Sequence, residues 1–148
     1  MYKKILLAVD GSNVSNRAIE KVIKLQKEMD SEVVVFHSVM HHIIMPLAYS
    51  SGYALQMYMN VEEEEKRDGK KIIDQARIKF HDANVPAKFD LITYENPEEY
   101  IERIVEVEKF DLVVLGVKGM HSRLKKAITG SITKKVITKA PCDVLVVK

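Results

Sequence analysis

Two kinds of apolar pattern alternate along this chain. Four segments, Ile5-Leu6-Leu7-Ala8-Val9, Glu32 to Val39 (EVVVFHSV), Leu112-Val113-Val114-Leu115 and Cys142 to Lys148 (CDVLVVK), are nearly continuous apolar runs. Such runs read as strands buried on both faces, and so as parallel sheet. Ala87 to Tyr94 (AKFDLITY) is a weaker, alternating strand. Between the strands the period changes to that of helices. Val14, Ala18, Val22, Leu25 and Met29 form one stripe, with Ser12 as its cap and Asp30-Ser31 as its stop. A long helix is predicted from Val61, with the acidic run Glu62 to Glu65 at its beginning, where the helix dipole favours carboxylates. Gly69, Ile72, Ile73, Ala76, Phe80 and Ala83 make its inner face, and Asn84 and Pro86 close it.

Asn96-Pro97-Glu98-Glu99 is a helix start, with Asn as cap, Pro at the first position and Glu at the third. Tyr100, Ile101, Ile104 and Val105 supply its buried face, up to Phe110. A short helix runs from about Ser131 to Lys139, and Pro141 breaks it before the last strand. Met40 to Asn60 has no steady period; it carries Pro46, Ser50-Ser51-Gly52 and several large side chains. A connection of this length is expected to be a lid, a binding loop or a disordered insertion, with helix allowed from Tyr53 onward.

Strict alternation of strand and helix predicts an α/β fold: an open five-stranded parallel sheet with helices on both faces. In such a sheet the ligand sits beyond the carboxyl ends of the strands, where the winding reverses. With the strands ordered 3-2-1-4-5, Asp10 at the end of strand one faces Gly116 at the end of strand four across one crevice. Ser38 lies at the corresponding end of strand two.

The 148 residues fit one domain, 1–148, and 47% hydrophobic with 30% charged residues describes a globular chain rather than a disordered one. A net charge of +2, from 23 basic and 21 acidic residues, gives no reason to expect nucleic acid as a partner. One cysteine, Cys142, excludes an internal disulfide and fits a reducing compartment. No signal-type segment and no membrane-length apolar window is present, so the expected address is the cytoplasm and no membrane partner is expected.

The candidate chemistry lies between Asp111 and Thr133 (DLVVLGVKGMHSRLKKAITGSIT). A strand ends at Gly116, Gly119 follows, and Gly130-Ser131 opens a helix. Glycines let backbone N–H groups approach an anion closely, and a helix start adds unpaired donors, so phosphate is the expected guest. Lys118, His121, Arg123, Lys125 and Lys126 supply a basic rim. The same glycines serve equally as plain turns, Ser131 as a helix cap, and Asp10 as a cap for the first helix. His37, His41 and His42 do not share a face suited to metal, and Cys142 reads as a small core residue. Ser131, His121 and Asp10 lack the turn pattern of a hydrolytic triad, and Gly130-Ser131 has no preceding lysine of the Walker type.

The KKILLAVDGS opening, the HSV of strand two, the NPEE helix start and the G-x2-G…GS…APCDVLVVK ending together resemble the universal stress protein family over essentially the whole chain. The resemblance implies a sheet wound 3-2-1-4-5, pairing through the last strand, and ATP binding in members with the pattern G-x2-G-x9-G-(S/T). Carried over by residue, Ala8 and Val9 line the adenine, Asp10 lies near the adenosine end, and the backbone of Ser38 reads the adenine edge. Gly116, Val117, Lys118 and Gly119 match the first half of the phosphate loop, and Gly130, Ser131, Ile132 and Thr133 the second. Two departures are present. Ten residues rather than nine separate Gly119 from Gly130, and Glu95 stands before Asn96 where the family often has glycine.

The implied function is an ATP-binding, homodimeric switch of the stress response, with ATP, ADP or AMP as ligand, Mg2+ as a companion ion, Val144 to Val147 as the pairing strand, and a protein partner as reader. Hydrolysis is expected to be slow at most, since no positioned base or arginine finger is visible. A non-nucleotide interaction module and an AMP-forming ATPase on the same sheet are the competing classes.

Overall fold

Strands form where the apolar runs lie. The structure is a computed structural model that describes residues 1–39, 52–117 and 130–148. In chain order these hold β1 (Lys4–Ala8), α1 (Asn13–Met29), β2 (Glu32–Val39), α2 (Gly52–Asp82), β3 (Lys88–Thr93), α3 (Pro97–Glu108), β4 (Leu112–Gly116), α4 (Ser131–Lys139) and β5 (Asp143–Val147). The strands form one sheet in the order β3-β2-β1-β4-β5, every pair parallel. This is the expected open α/β sheet, with the winding reversing between β1 and β4.

Alternate residues of the central strands feed two cores. Ile5, Leu7, Val33, Val35 and Val114 pack with Ala18, Ile19 and Val22 of α1 and Ile73, Ala76 and Phe80 of α2. Leu6, Val34, Phe36, Val113 and Leu115 pack on the other face with Tyr100, Ile101, Ile104 and Val105 of α3 and Val136 of α4. Full burial of side chains such as Leu6 and Leu7, both at 0% exposure, contributes about 1.5–3 kcal/mol each. A strand clothed on both faces must be apolar throughout, which is why β1 and β4 show no alternation.

Three expectations are corrected. The buried stripe of α1 is Ser15, Ala18, Ile19, Val22 and Gln26 rather than the stripe through Val14, Leu25 and Met29. Ser15 is turned inward because its hydroxyl accepts the Asp10 N–H at 3.1 Å, a bond that an apolar count cannot register. The long helix begins at Gly52, nine residues before Val61. Its first turns bury little, since Tyr53, Leu55, Met57, Met59 and Val61 are exposed, so they leave no periodic trace. The run Glu62 to Glu65 therefore lies inside α2, away from the dipole's positive end. There Glu62 accepts from Lys66 Nζ at 2.7 Å and from the Tyr94 hydroxyl. The remaining connection, 40–51, lies outside the described residues, as do His41 and His42.

Candidate functional site

β1 is the recessed strand of the sheet. Its register with β2 ends at Ala8–Phe36 and with β4 at Leu7–Val114. β2 continues through His37, Ser38 and Val39 beside Leu91, Ile92 and Thr93 of β3. β4 continues through Leu115 and Gly116 beside Val146 and Val147 of β5. Both neighbours thus overhang the end of β1, and the notch between them is the crevice predicted at the winding reversal.

The floor of the notch is the turn that follows β1. Val9 donates its N–H to Phe36 O at 2.9 Å, and its own carbonyl is met by Nδ1 of His37 at 2.7 Å. Gly11 takes φ 79°, a left-handed conformation that glycine adopts without strain. Asp10 Oδ1 accepts the Ser12 N–H at 3.0 Å, and Ser12 Oγ accepts the Ser15 N–H at 3.1 Å. Ser12 is the N-cap of α1 as expected, and Asp10 braces the turn that presents it.

The other wall joins the two glycine turns. Val117 donates to Val147 O at 2.8 Å, and Gly130 donates to Val117 O at 2.8 Å. Thr133, 3% exposed, donates its hydroxyl to Gly116 O at 2.9 Å. These bonds seat the start of α4 against the end of β4. The N-cap of α4 is Gly130, which makes no side-chain cap bond, so the amides of Ser131, Ile132 and Thr133 have no intrahelical acceptor. Gly130 itself has φ −67°, open to any residue, so its identity is not set by backbone conformation. Ser131 is exposed, and Ile132 is 37% exposed.

On the side of β2, the Ser38 hydroxyl donates to Glu95 O at 2.5 Å. The Glu95 carboxylate takes two N–H groups of Arg103, at 3.0 and 2.8 Å, and these bonds hold its carboxyl below the usual range. Lys135 of α4 pairs with Glu98 of α3 at 2.7 Å. Burial alone would push the Glu98 carboxyl up, but the Lys135 hydrogen bond, a bond to its own backbone amide and the charges of Lys135 and Lys139 together leave the net shift downward. α3 and α4 are thereby tied together beside the crevice.

The universal stress protein family model matches residues 1–148. The chain belongs to the universal stress protein family. Universal stress protein MJ0531 of Methanocaldococcus jannaschii is 31% identical to it, over 100% of this chain and 83% of the relative. Universal stress protein MJ0577 of the same organism is 32% identical, over 100% of this chain and 96% of the relative. The solved structure of MJ0577 superposes with a TM-score of 0.80 at 26% identity, covering 100% of this chain and 96% of that one. A universal stress protein from Archaeoglobus fulgidus, solved in complex with dAMP, superposes with a TM-score of 0.72 over 99% of this chain and 98% of that one. At 19% identity that likeness speaks for the fold.

In this universal stress protein the predicted residues Ala8, Val9, Asp10 and Ser38 gather at the notch, and Gly116, Val117, Gly130, Ser131, Ile132 and Thr133 gather at the start of α4. Lys118 and Gly119, with the basic rim at His121, Arg123, Lys125 and Lys126, lie outside the described residues. Sequence reasoning missed two contributors: the Thr133 hydroxyl as the staple to Gly116, and the Glu95 carbonyl as the partner of Ser38. Among the described residues no cluster of metal-ligating side chains occurs and no helix is long and apolar enough to cross a membrane.

Proposed function

We propose that this universal stress protein is a single-domain, cytoplasmic binder of adenine nucleotide, ATP foremost, acting as a homodimeric switch read by a protein partner. The observation that carries the reading is the start of α4, whose N-cap Gly130 makes no side-chain cap bond, stapled to the end of β4 beside the notch above β1. Amides without intrahelical acceptors and the positive end of a helix dipole suit a phosphate chain. The adenosine end would lie over Ala8, Val9 and Asp10 and reach Ser38, with Asp10 accepting from a ribose hydroxyl or holding Mg2+ through water. The Archaeoglobus fulgidus relative of the same fold was solved with dAMP, which agrees with an adenine nucleotide as ligand.

For pairing, β5 stands at the sheet edge, and Val144 to Val147 form a short apolar strand there, open to a symmetry mate. Sedimentation at micromolar concentration should give a dimer; monomer alone would count against this half of the proposal.

The nucleotide half is tested by Ser131→Pro. Proline is tolerated at the first helical position, where Pro97 already stands in α3. The preceding Gly130, at φ −67° and ψ 158°, has the extended backbone that a following proline requires. The variant should fold normally yet lose an amide and a hydroxyl donor, lowering ATP affinity about tenfold or more. Unchanged affinity in a folded variant would overturn the phosphate assignment.

A further inference from the structure

We propose that the amino-terminal turns of α2, Gly52 to Val61, are an interface for the same turns of a second copy of this chain, packed antiparallel about Met57. The contact is separate from the nucleotide site and does not depend on it.

Gly69, Ile73, Ala76 and Phe80 are buried and mark the side of α2 that lies on the sheet. At 3.6 residues per turn, Tyr53, Met57 and Val61 fall about 90–170° around the helix from that side. Their exposures agree, at 78%, 52% and 49%. Spaced four residues apart, they form one apolar stripe that the sheet beneath the helix does not use. A stripe of large apolar side chains open to water marks an interaction surface.

The charge pattern says what kind of partner fits. No charged residue occurs from Gly52 to Val61, whereas Glu62 to Lys71 is charged at every position except Gly69. A neutral stripe gives a basic peptide or a phosphate backbone nothing to pair with. It matches a neutral apolar helix face of the same spacing, and its own copy supplies one. Across a twofold axis, Met57 meets Met57 and Tyr53 meets Val61.

The acidic run fixes the direction. Parallel packing would set the two Glu62 to Glu65 runs side by side. Antiparallel packing separates their centres by about 20 Å along the helices, well beyond the screening length of about 8 Å. It also carries each run to the amino-terminal end of the other helix, where the dipole favours carboxylates. α2 packs on β2 and β3, and β5 lies at the far edge of the sheet, so this contact leaves the β5 edge open. Three stripe residues from each chain bury less than the roughly 1,200 Å2 at which standard interfaces begin. The contact is therefore weak and concentration-dependent.

The test is chemical cross-linking of the full chain with its one cysteine, Cys142, replaced by alanine. In that background Met57→Cys places a thiol at the twofold axis. A short bismaleimide should join two such chains in a yield that rises with chain concentration. Ile78→Cys, exposed on the same helix but about 30 Å further along it, should not be joined. Adding Val61→Lys to Met57→Cys should lower the yield about tenfold, since the ammonium would face the positive end of the other helix. Equal joining through Ile78→Cys overturns the proposal. So does a Met57→Cys thiol that reacts with a monofunctional maleimide yet joins no second chain, which leaves the stripe to a different partner. A thiol that resists even the monofunctional reagent in dilute solution shows that the chain covers its own stripe, and this too overturns the proposal.

Discussion

Gly130 donates its backbone N–H to Val117 O at 2.8 Å, closing the two glycine turns on each other across the residues between them. The Thr133 hydroxyl repeats the closure one turn further on, at Gly116 O. Thr133→Val keeps the shape and removes the proton, leaving a poorly hydrated carbonyl without its donor. A loss of about 1–3 kcal/mol is expected, read as a lower urea midpoint with an unchanged slope. An unmoved midpoint would mean that water takes the place of the hydroxyl and that the staple does not hold α4.

Gly69 lies in the interior of α2, where alanine would ordinarily raise stability by about 0.5–1 kcal/mol. Here a Cβ would meet Val39 Cγ2 at 2.5 Å, Leu91 Cδ1 at 3.0 Å and His37 Cδ2 at 3.2 Å. Val39 is buried and β-branched, so it cannot swing clear. Overpacking of this kind costs about 1–3 kcal/mol, which exceeds the gain in helix propensity. Gly69→Ala should therefore lower the melting temperature, and a rise would show that α2 shifts off β2 without penalty.

Tyr100 is 6% exposed. Burial, and behind it the charges of Asp90 and Glu108, push its phenol up to about 12. The folded state thus holds the phenolic proton more tightly than the unfolded chain, where the phenol titrates near 10. Its contribution to stability is complete below pH 10 and is lost as the pH rises toward 12. Ultraviolet titration should show one tyrosine ionising well after the exposed ones, and Tyr100→Phe should flatten the alkaline loss of stability. Ionisation of all tyrosines together near pH 10 would contradict the burial.

The fold was legible because its central strands are apolar on both faces, and the carboxyl ends of β1, β2 and β4 then located Asp10, Ser38 and Gly116 without any side-chain geometry. What escaped was polar and long-range. Ser15 and Gln26 are buried in α1, Ser15 against the Asp10 amide, so the apolar stripe was drawn slightly off its true line. The Ser38–Glu95 bond joins residues 57 apart in sequence, and no local pattern announces it. The start of α2 at Gly52 was allowed by the sequence from Tyr53 but not fixed there, for another reason. Helical periodicity records burial, and Tyr53 to Val61 bury too little to leave one, although Leu, Gln and Met there favour helix intrinsically.

At 31 residues, α2 is about 46 Å long, against about 26 Å for the eight residues of β2. Among the described residues the buried positions of the helix begin near Gly69, Ile73, Ala76 and Phe80, and ahead of them the Glu62–Lys66–Tyr94 group ties it to the residue that follows β3. The amides of 69–82, which pack on the sheet, should be the slowest of this helix to exchange with solvent.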